Sequence, residues 1–269
     1  DLRMDDFVLS YLDQVTDPFR NPEKRVFVGY LLGAVLLASG FYLVTQRDRW
    51  RAALGEVLGR HIWWSASAKA DYKILLINQA LLMGVMPRLV SKLAVATLIF
   101  EGLHIWFDGR ALIWPSAPAW AVGALFTLCL FLLDDATKYL VHRALHRWPL
   151  LWCFHRVHHS AETLTPLTVY RTHPVEGVIF ALRGVLAQGA SVAAFIYFFG
   201  NRAELVTILG ANAILFAFNA AGSNLRHSHV WLSYGRWVER ILISPAQHQI
   251  HHSVDTEHYD KNFGAVLAI

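Results

Sequence analysis

Residues 26–44 form a run of nineteen without one charged side chain. As a helix, such a run rises nearly the roughly 30 Å of a bilayer's hydrocarbon, and a helix is one of the few structures able to satisfy its own backbone there. More apolar segments follow at 74–86, at 120–133, at 175–200 and at 203–222. The first of them resumes beyond Pro87 and Arg88 as far as Trp106. Charged residues make up 16% of the chain, against about 25% in a soluble domain. The expected fold is all-α, a polytopic membrane protein with four to six spanning or re-entrant helices.

No Gly/Ser-rich linker divides the chain, which reads as a polar segment at 1–25, with Pro18 and Pro22, followed by one membrane-embedded domain at 26–269. The first 25 residues leave room for a short amphipathic helix on the membrane surface. The opening DLRMDD lacks the basic start of a secretory signal, and the first apolar run exceeds a signal's apolar core, so it is expected to be a retained span. Residues 46–73 carry six Lys or Arg, among them Arg47, Arg49 and Arg51, together with Trp50, Trp63 and Trp64. That is the composition of a cytoplasmic interfacial loop with aromatic anchors, in which the lone His61 reads as interfacial. Asn201 and Arg202 join two apolar segments into an expected helical hairpin. Crossing twice would return the chain to the face that it left. Cys129 and Cys153 supply neither a disulfide framework nor a CxxC knuckle.

Histidine is where the chain departs from an ordinary bundle. His142, His146, His155, His158 and His159 crowd one stretch, and His248, His251 and His252 another. The patterns are HRALH, HRVHH and HQIHH. Steps of three and four residues put side chains on one helix face, about 6 Å apart along the axis for a step of four. One tetrahedral ion needs four ligands, so eight clustered imidazoles point to two ions. Imidazole suits zinc, copper, iron and nickel rather than magnesium or calcium. HExxH is absent, which removes the usual zinc peptidase. An all-imidazole site also needs acceptors for the other ring nitrogens, and Asp135, Asn224 and Asp255 are candidates for that role. Asp134 and Asp135 read equally well as charges at a span end. Lys138, Arg143, Arg147, Arg156, Arg171 and Arg226 argue that the histidine-rich face is cytoplasmic. The net charge of +4 is read as orientation and headgroup contact rather than nucleic-acid binding.

These motifs resemble the membrane-bound fatty acid hydroxylase and sterol desaturase superfamily, whose pattern is HxxxH at a helix end, HxxHH shortly after and a second HxxHH further on. Asp135 and Tyr139 look like its Asp and Tyr before the first box. His173, Pro174 and Glu176 look like its His-Pro-x-Glu element, and Asn262, Phe263 and Gly264 like its Asn-aromatic-Gly. The likeness covers about residues 130–269, whereas 1–110 match only as apolar spans. It adds His173 and His227 to the eight box histidines as implied ligands. His229 and His258 stand outside the pattern as candidates to support the ligands or to face substrate.

The resemblance implies oxygen chemistry on two iron ions, with dioxygen as co-substrate and a lipid from the bilayer hydroxylated or desaturated at an unactivated C–H bond. No GxGxxG nucleotide fingerprint is present. Electrons are therefore expected from a separate ferredoxin- or cytochrome-type donor linked to NAD(P)H. Two other readings compete. Zinc on the same fold would make the chemistry hydrolytic. A metal transporter or sensor would instead string ionisable residues through the spans, whereas here they crowd at one face.

Overall fold

The computed structural model describes residues 4–46, 50–85, 91–109 and 112–269. The described residues are mostly helical: α1 (Met4–Arg20), α2 (Val28–Thr45), α3 (Trp50–Leu58), α4 (Arg60–Trp63), α5 (Ala66–Val85), α6 (Lys92–Trp106), α7 (Ala119–Arg147), α8 (Pro149–His159) and α9 (Pro174–Phe199). A two-stranded hairpin follows, β1 (Thr207–Ile208) with β2 (Ala211–Asn212), and then the short helices α10 (Ala213–Ala220) and α11 (Pro245–His251).

Among the described residues, three helices are long and apolar enough to cross a membrane, and they fall at Val28–Thr45, Ala119–Arg147 and Pro174–Arg202. Their outward side chains agree with a lipid surround. Leu32 and Leu36 on α2, Leu125, Leu128 and Leu132 on α7, and Leu186 and Ile196 on α9 are all exposed, a density of apolar surface that water does not tolerate. Helix α6 also shows Leu93, Leu98, Ile105 and Trp106. At fifteen residues it rises only about 22 Å, short of a full crossing. It lies along α9 where Gly189 allows close approach, since a Cβ there would stand 2.8 Å from a Val95 methyl carbon. The break between α5 and α6, with Pro87 and Arg88, lies outside the described residues, as do Arg47 and Arg49.

The segment 203–222 departs from the expected second arm of a helical hairpin. It runs irregularly through β1 and β2 and becomes helical only for the eight residues of α10. Gly210, with φ +83°, and Leu209, with φ +49°, take left-handed backbone in the β1–β2 turn. The Asn212 side chain then caps α10 by accepting from Ile214 N and Leu215 N. Apolar composition alone cannot tell such a return from a helix. The unpaired backbone finds partners on α7 instead: Val206 N donates to Thr127 Oγ1 at 2.8 Å, and Asn212 Nδ2 donates to Thr127 O at 3.2 Å. Gly123 lets this leg pass close by, because a Cβ there would sit 2.8 Å from Glu204 O.

At the other end of α7 the last residues fold back underneath it. Ile243 N donates to Val266 O, Ala268 N donates to Ile241 O, and Phe131, Phe218, Ile243 and Val266 close a small core. Helix α1 docks on α5, with Tyr11 Oη donating to Leu76 O at 3.0 Å.

Candidate metal centre

Helix α7 has 29 residues and a length of about 43 Å, so it overshoots the hydrocarbon and carries its last turns beyond it. His142 and His146 stand on those turns. Pro149 cannot continue the helix but suits a first helical turn, so the chain pivots at Trp148 and starts α8 at once. Helix α11 opens on a Ser244–Gln247 capping box with Pro245 in its first turn.

Nine imidazoles converge in two groups. His142, His146, His155, His159 and His251 form one; His158, His227, His248 and His252 form the other; within each, one ring nitrogen per residue lies within 4.8 Å of all the rest. The HxxHH repeat explains the division. At about 100° per residue the first and last histidines of the motif sit about 40° apart, and the middle one diverges by about 60° the other way. Helix α8 gives His155 and His159 to the first group and His158 to the second. Helix α11 with its C-cap His252 does the reverse, giving His248 and His252 to the second and His251 to the first.

Hydrogen bonds assign the tautomers of three rings. His142 Nδ1 is 2.9 Å from Phe263 O, His251 Nδ1 is 2.9 Å from Lys261 O, and His155 Nδ1 is 3.0 Å from Glu176 Oε1. Each of those oxygens accepts, so each Nδ1 carries the proton and each Nε2 holds a lone pair. Yet His142 Nε2 and His251 Nε2 face each other at 3.1 Å, and His155 Nε2 is buried without a partner, as are Nε2 of His146, His159 and His252. Lone pairs turned toward one another in a desolvated space repel unless a cation lies between them. The first group therefore fits a metal ion. In the second, His227 Nε2 stands 3.2 Å from His158 Nε2 and 3.1 Å from His248 Nε2. Burial first, and the crowding of neighbouring imidazoles and arginines second, hold His158, His159, His227, His248, His251 and His252 below the ordinary imidazole range. Neutral imidazole is the form that ligates. A half-open cleft lined by His146, Trp152, His159, His251, Tyr259 and Asp260 reaches the first group.

Several expected site residues are placed elsewhere. His173 enters neither group. Its Nδ1 accepts from Val175 N at 3.2 Å, capping α9, and its ring packs on Phe154. Asp135 spends its hydrogen bonds on backbone rather than on a histidine; its two carboxylate oxygens accept from Val266 N and Leu267 N, both at 2.9 Å, and so fix the C-terminal segment whose Phe263 carbonyl orients His142. Asp255 is exposed and caps the turn Thr256–His258, and His258 lies on that turn outside both groups. His229 lines an apolar cavity with Leu31, Val57 and Leu164, and neither of its ring nitrogens has a partner. Asn224, beside the second group in sequence, is 1% exposed with both carboxamide atoms unpartnered. Asp134 pairs with Lys138 at 2.6 Å and Arg183 at 2.8 Å. Glu176, bonded to His155, is a functional residue that histidine spacing does not point to. The His-Pro-x-Glu element is its signal, since it places the carboxylate in the first turn of α9 and against His155 of α8.

Gly264 holds this arrangement closed. A Cβ there would come within 2.0 Å of Leu267 O, a clash with backbone that cannot rotate away. Gly264→Ala is expected to lower unfolding stability by about 2 kcal/mol or more and to reduce bound metal by shifting the Phe263 carbonyl from His142. Thermal unfolding and metal analysis on one sample check both effects.

A sequence model of the fatty acid hydroxylase family matches residues 127–269, a stretch that contains both histidine groups. The chain belongs to the fatty acid hydroxylase family. Within the superfamily of fatty acid hydroxylases and sterol desaturases, it is similar to alkylglycerol monooxygenase of Danio rerio, with 27% identity over 69% of this chain and 37% of that protein. It is similar also to alkylglycerol monooxygenase of Caenorhabditis elegans, with 24% identity over 91% of this chain and 49% of that protein. A Delta(7)-sterol 5(6)-desaturase of Gibberella zeae shares 26% identity over 54% of this chain and 40% of its own length. The chain thus spans about half or less of the length of these relatives. No solved structure matches it.

Proposed function

We propose that the chain carries out oxygen-dependent oxidation of a membrane lipid at an unactivated C–H bond, by hydroxylation or desaturation, at two iron ions held by the two histidine groups. One observation carries this reading: desolvated imidazole lone pairs facing one another in two adjacent sets, on a fold whose relatives are named as lipid monooxygenases and sterol desaturases. Iron bound there supplies dioxygen activation and the oxidising power for C–H cleavage. The chain's own residues place and shield that chemistry. His142, His146, His155, His159 and His251 would hold one ion, and His158, His227, His248 and His252 the other. Glu176, Phe263 and Lys261 keep the Nδ1 protons in place, so that Nε2 of His155, His142 and His251 stays turned inward. Trp152 and Val254 give the cleft apolar walls, and Tyr259 and Asp260 give it a polar rim.

A separate ferredoxin- or cytochrome-type protein linked to NAD(P)H would deliver the electrons. The metal-bearing face would be cytoplasmic, as the exposed Arg143, Arg147 and Arg156 favour. Arg171 and Arg226 no longer belong to that argument, because Arg171 pairs with buried Asp71 and Arg226 is 4% exposed. Residues 26–269 would act as one membrane-embedded unit, with 1–25 as an appended segment.

Metal analysis of protein purified anaerobically in detergent, followed by oxygen uptake with lipid and a reductase system, tests the reading. About two irons per chain with lipid-dependent oxygen consumption is the expected result. Stoichiometric zinc from iron-fed cells, without oxygen uptake, would overturn it in favour of hydrolysis.

A further inference from the structure

Beside the second histidine group two guanidinium groups meet on one backbone carbonyl. Arg25 Nη2 donates to Ser223 O at 3.0 Å, and Arg226 Nε donates to the same oxygen at 3.1 Å. Two donors on one acceptor put these nitrogens no more than about 6 Å apart. Arg226 also donates to Ala265 O and lies over the Phe218 ring at 5.2 Å. Among the described residues neither arginine takes part in an ion pair. Asp135 lies within electrostatic reach of Arg226 but spends its two oxygens on Val266 N and Leu267 N, and the groups that act on Arg25 are Arg226, Tyr170 and Tyr234, with no carboxylate among them. Arg226 is 4% exposed and Arg25 is half-buried, and two cations brought this close and partly out of water favour an anion that offsets them.

The surroundings favour an oxyanion. Tyr170 and Tyr234 lie within electrostatic reach of Arg25, and the unpartnered carboxamide of Asn224 is the residue next to Ser223. Position favours the head of an amphiphile. Arg25 sits just before α2 enters the membrane, and Arg226 directly precedes His227 of the second metal group. The segments that present the cations also build an apolar cavity: Leu31, Ala34 and Val35 from α2, Pro166 from the turn that ends at Tyr170, and Leu225 from the turn that carries Arg226.

We propose that Arg25 and Arg226 form an oxyanion site that takes the charged head group, carboxylate or phosphate, of the lipid oxidised at the metal centre. The inference rests on the lipid-oxidising function proposed above and narrows its substrate class to anionic lipids. An alkylglycerol or a sterol, the substrates named for the relatives, offers no such charge.

The test measures binding apart from turnover. Metal-loaded full chain in neutral detergent is titrated with oleate, methyl oleate and inorganic phosphate, and tryptophan fluorescence reports binding. Oleate should bind at least about tenfold more tightly than its methyl ester. Arg25→Gln should weaken oleate by roughly ten- to a hundredfold, the loss of one charge-assisted hydrogen bond, and leave the ester unchanged; Arg25→Lys should recover much of the difference. Arg25 carries the test because Arg226 also ties down the C-terminal segment. Equal binding of acid and ester, or wild-type oleate affinity in Arg25→Gln, overturns the proposal. So does phosphate binding that Arg25→Gln abolishes while oleate is untouched, which would make the site one for a free anion. Oxidation of neutral lipids alone by a chain holding its irons would also overturn it and leave the oxidative function standing. Selective oleate binding without iron would support the anion site and count against the oxidative function.

Discussion

Alanine at His251 is expected to lower the metal content from about two ions per chain to about one and to reduce lipid oxidation by at least about a hundredfold. The estimate is a lower limit, because groups that merely orient a ligand already cost 10- to 100-fold when lost. His251 belongs to the first group only. Its removal leaves His142 Nε2 without its counterpart at 3.1 Å, while His158, His227, His248 and His252 keep their mutual distances. Alanine at His158 is the mirror experiment and should empty the second group. His173→Ala is the contrast. His173 caps α9 instead of joining a group, so its loss should cost about 1 kcal/mol of stability and leave both ions bound. Metal analysis of the three purified variants, with activity on the same samples, decides the matter. Loss of both ions in every variant would mean that the groups do not bind independently, and loss of an ion in His173→Ala would return that residue to the ligands.

Local spacing made the histidine boxes legible, because steps of three and four have only one meaning on a helix. What spacing could not supply was the exchange between boxes. Whether His251 joins His155 or His158 depends on how α11 lies across α8, a relation between elements ninety residues apart. The acceptors that orient the rings were equally out of reach, since two of the three are backbone carbonyls, at Lys261 and Phe263, and a carbonyl has no residue type. Their only trace is Asn262-Phe263-Gly264, where Asn262 takes φ +58° to turn the chain. Asp135 was a reasonable candidate to support a ligand, and it does so at one remove, through the segment it anchors. The spans at α2, α7 and α9 follow from apolar length. The segment 203–222 did not, because Thr127 and the left-handed turn at Leu209 and Gly210 satisfy its backbone without a helix.

Glu176 carries the second large effect. Its carboxylate is 3% exposed and accepts from His155 Nδ1 at 3.0 Å, and its other oxygen has no protein partner. A buried carboxylate is costly unless positive charge compensates it. If the two groups hold two cations among neutral imidazoles, Glu176 is, among the described residues, the acidic group bonded to a ligand ring, and it would both pin the His155 tautomer and make that ring a better donor. Glu176→Ala is expected to lower metal affinity by about 10- to 100-fold, and Glu176→Gln, which keeps an acceptor of the same shape, by less. A competition titration against a chelator gives the affinities. The order of the two variants separates orientation from charge. If the carboxylate acts mainly by holding the ring, glutamine restores most of the affinity; if it acts mainly by offsetting the charge of the ions, glutamine is nearly as harmful as alanine. Wild-type affinity in Glu176→Ala would remove Glu176 from the support of the site altogether, and His155 would then be held by α8 alone.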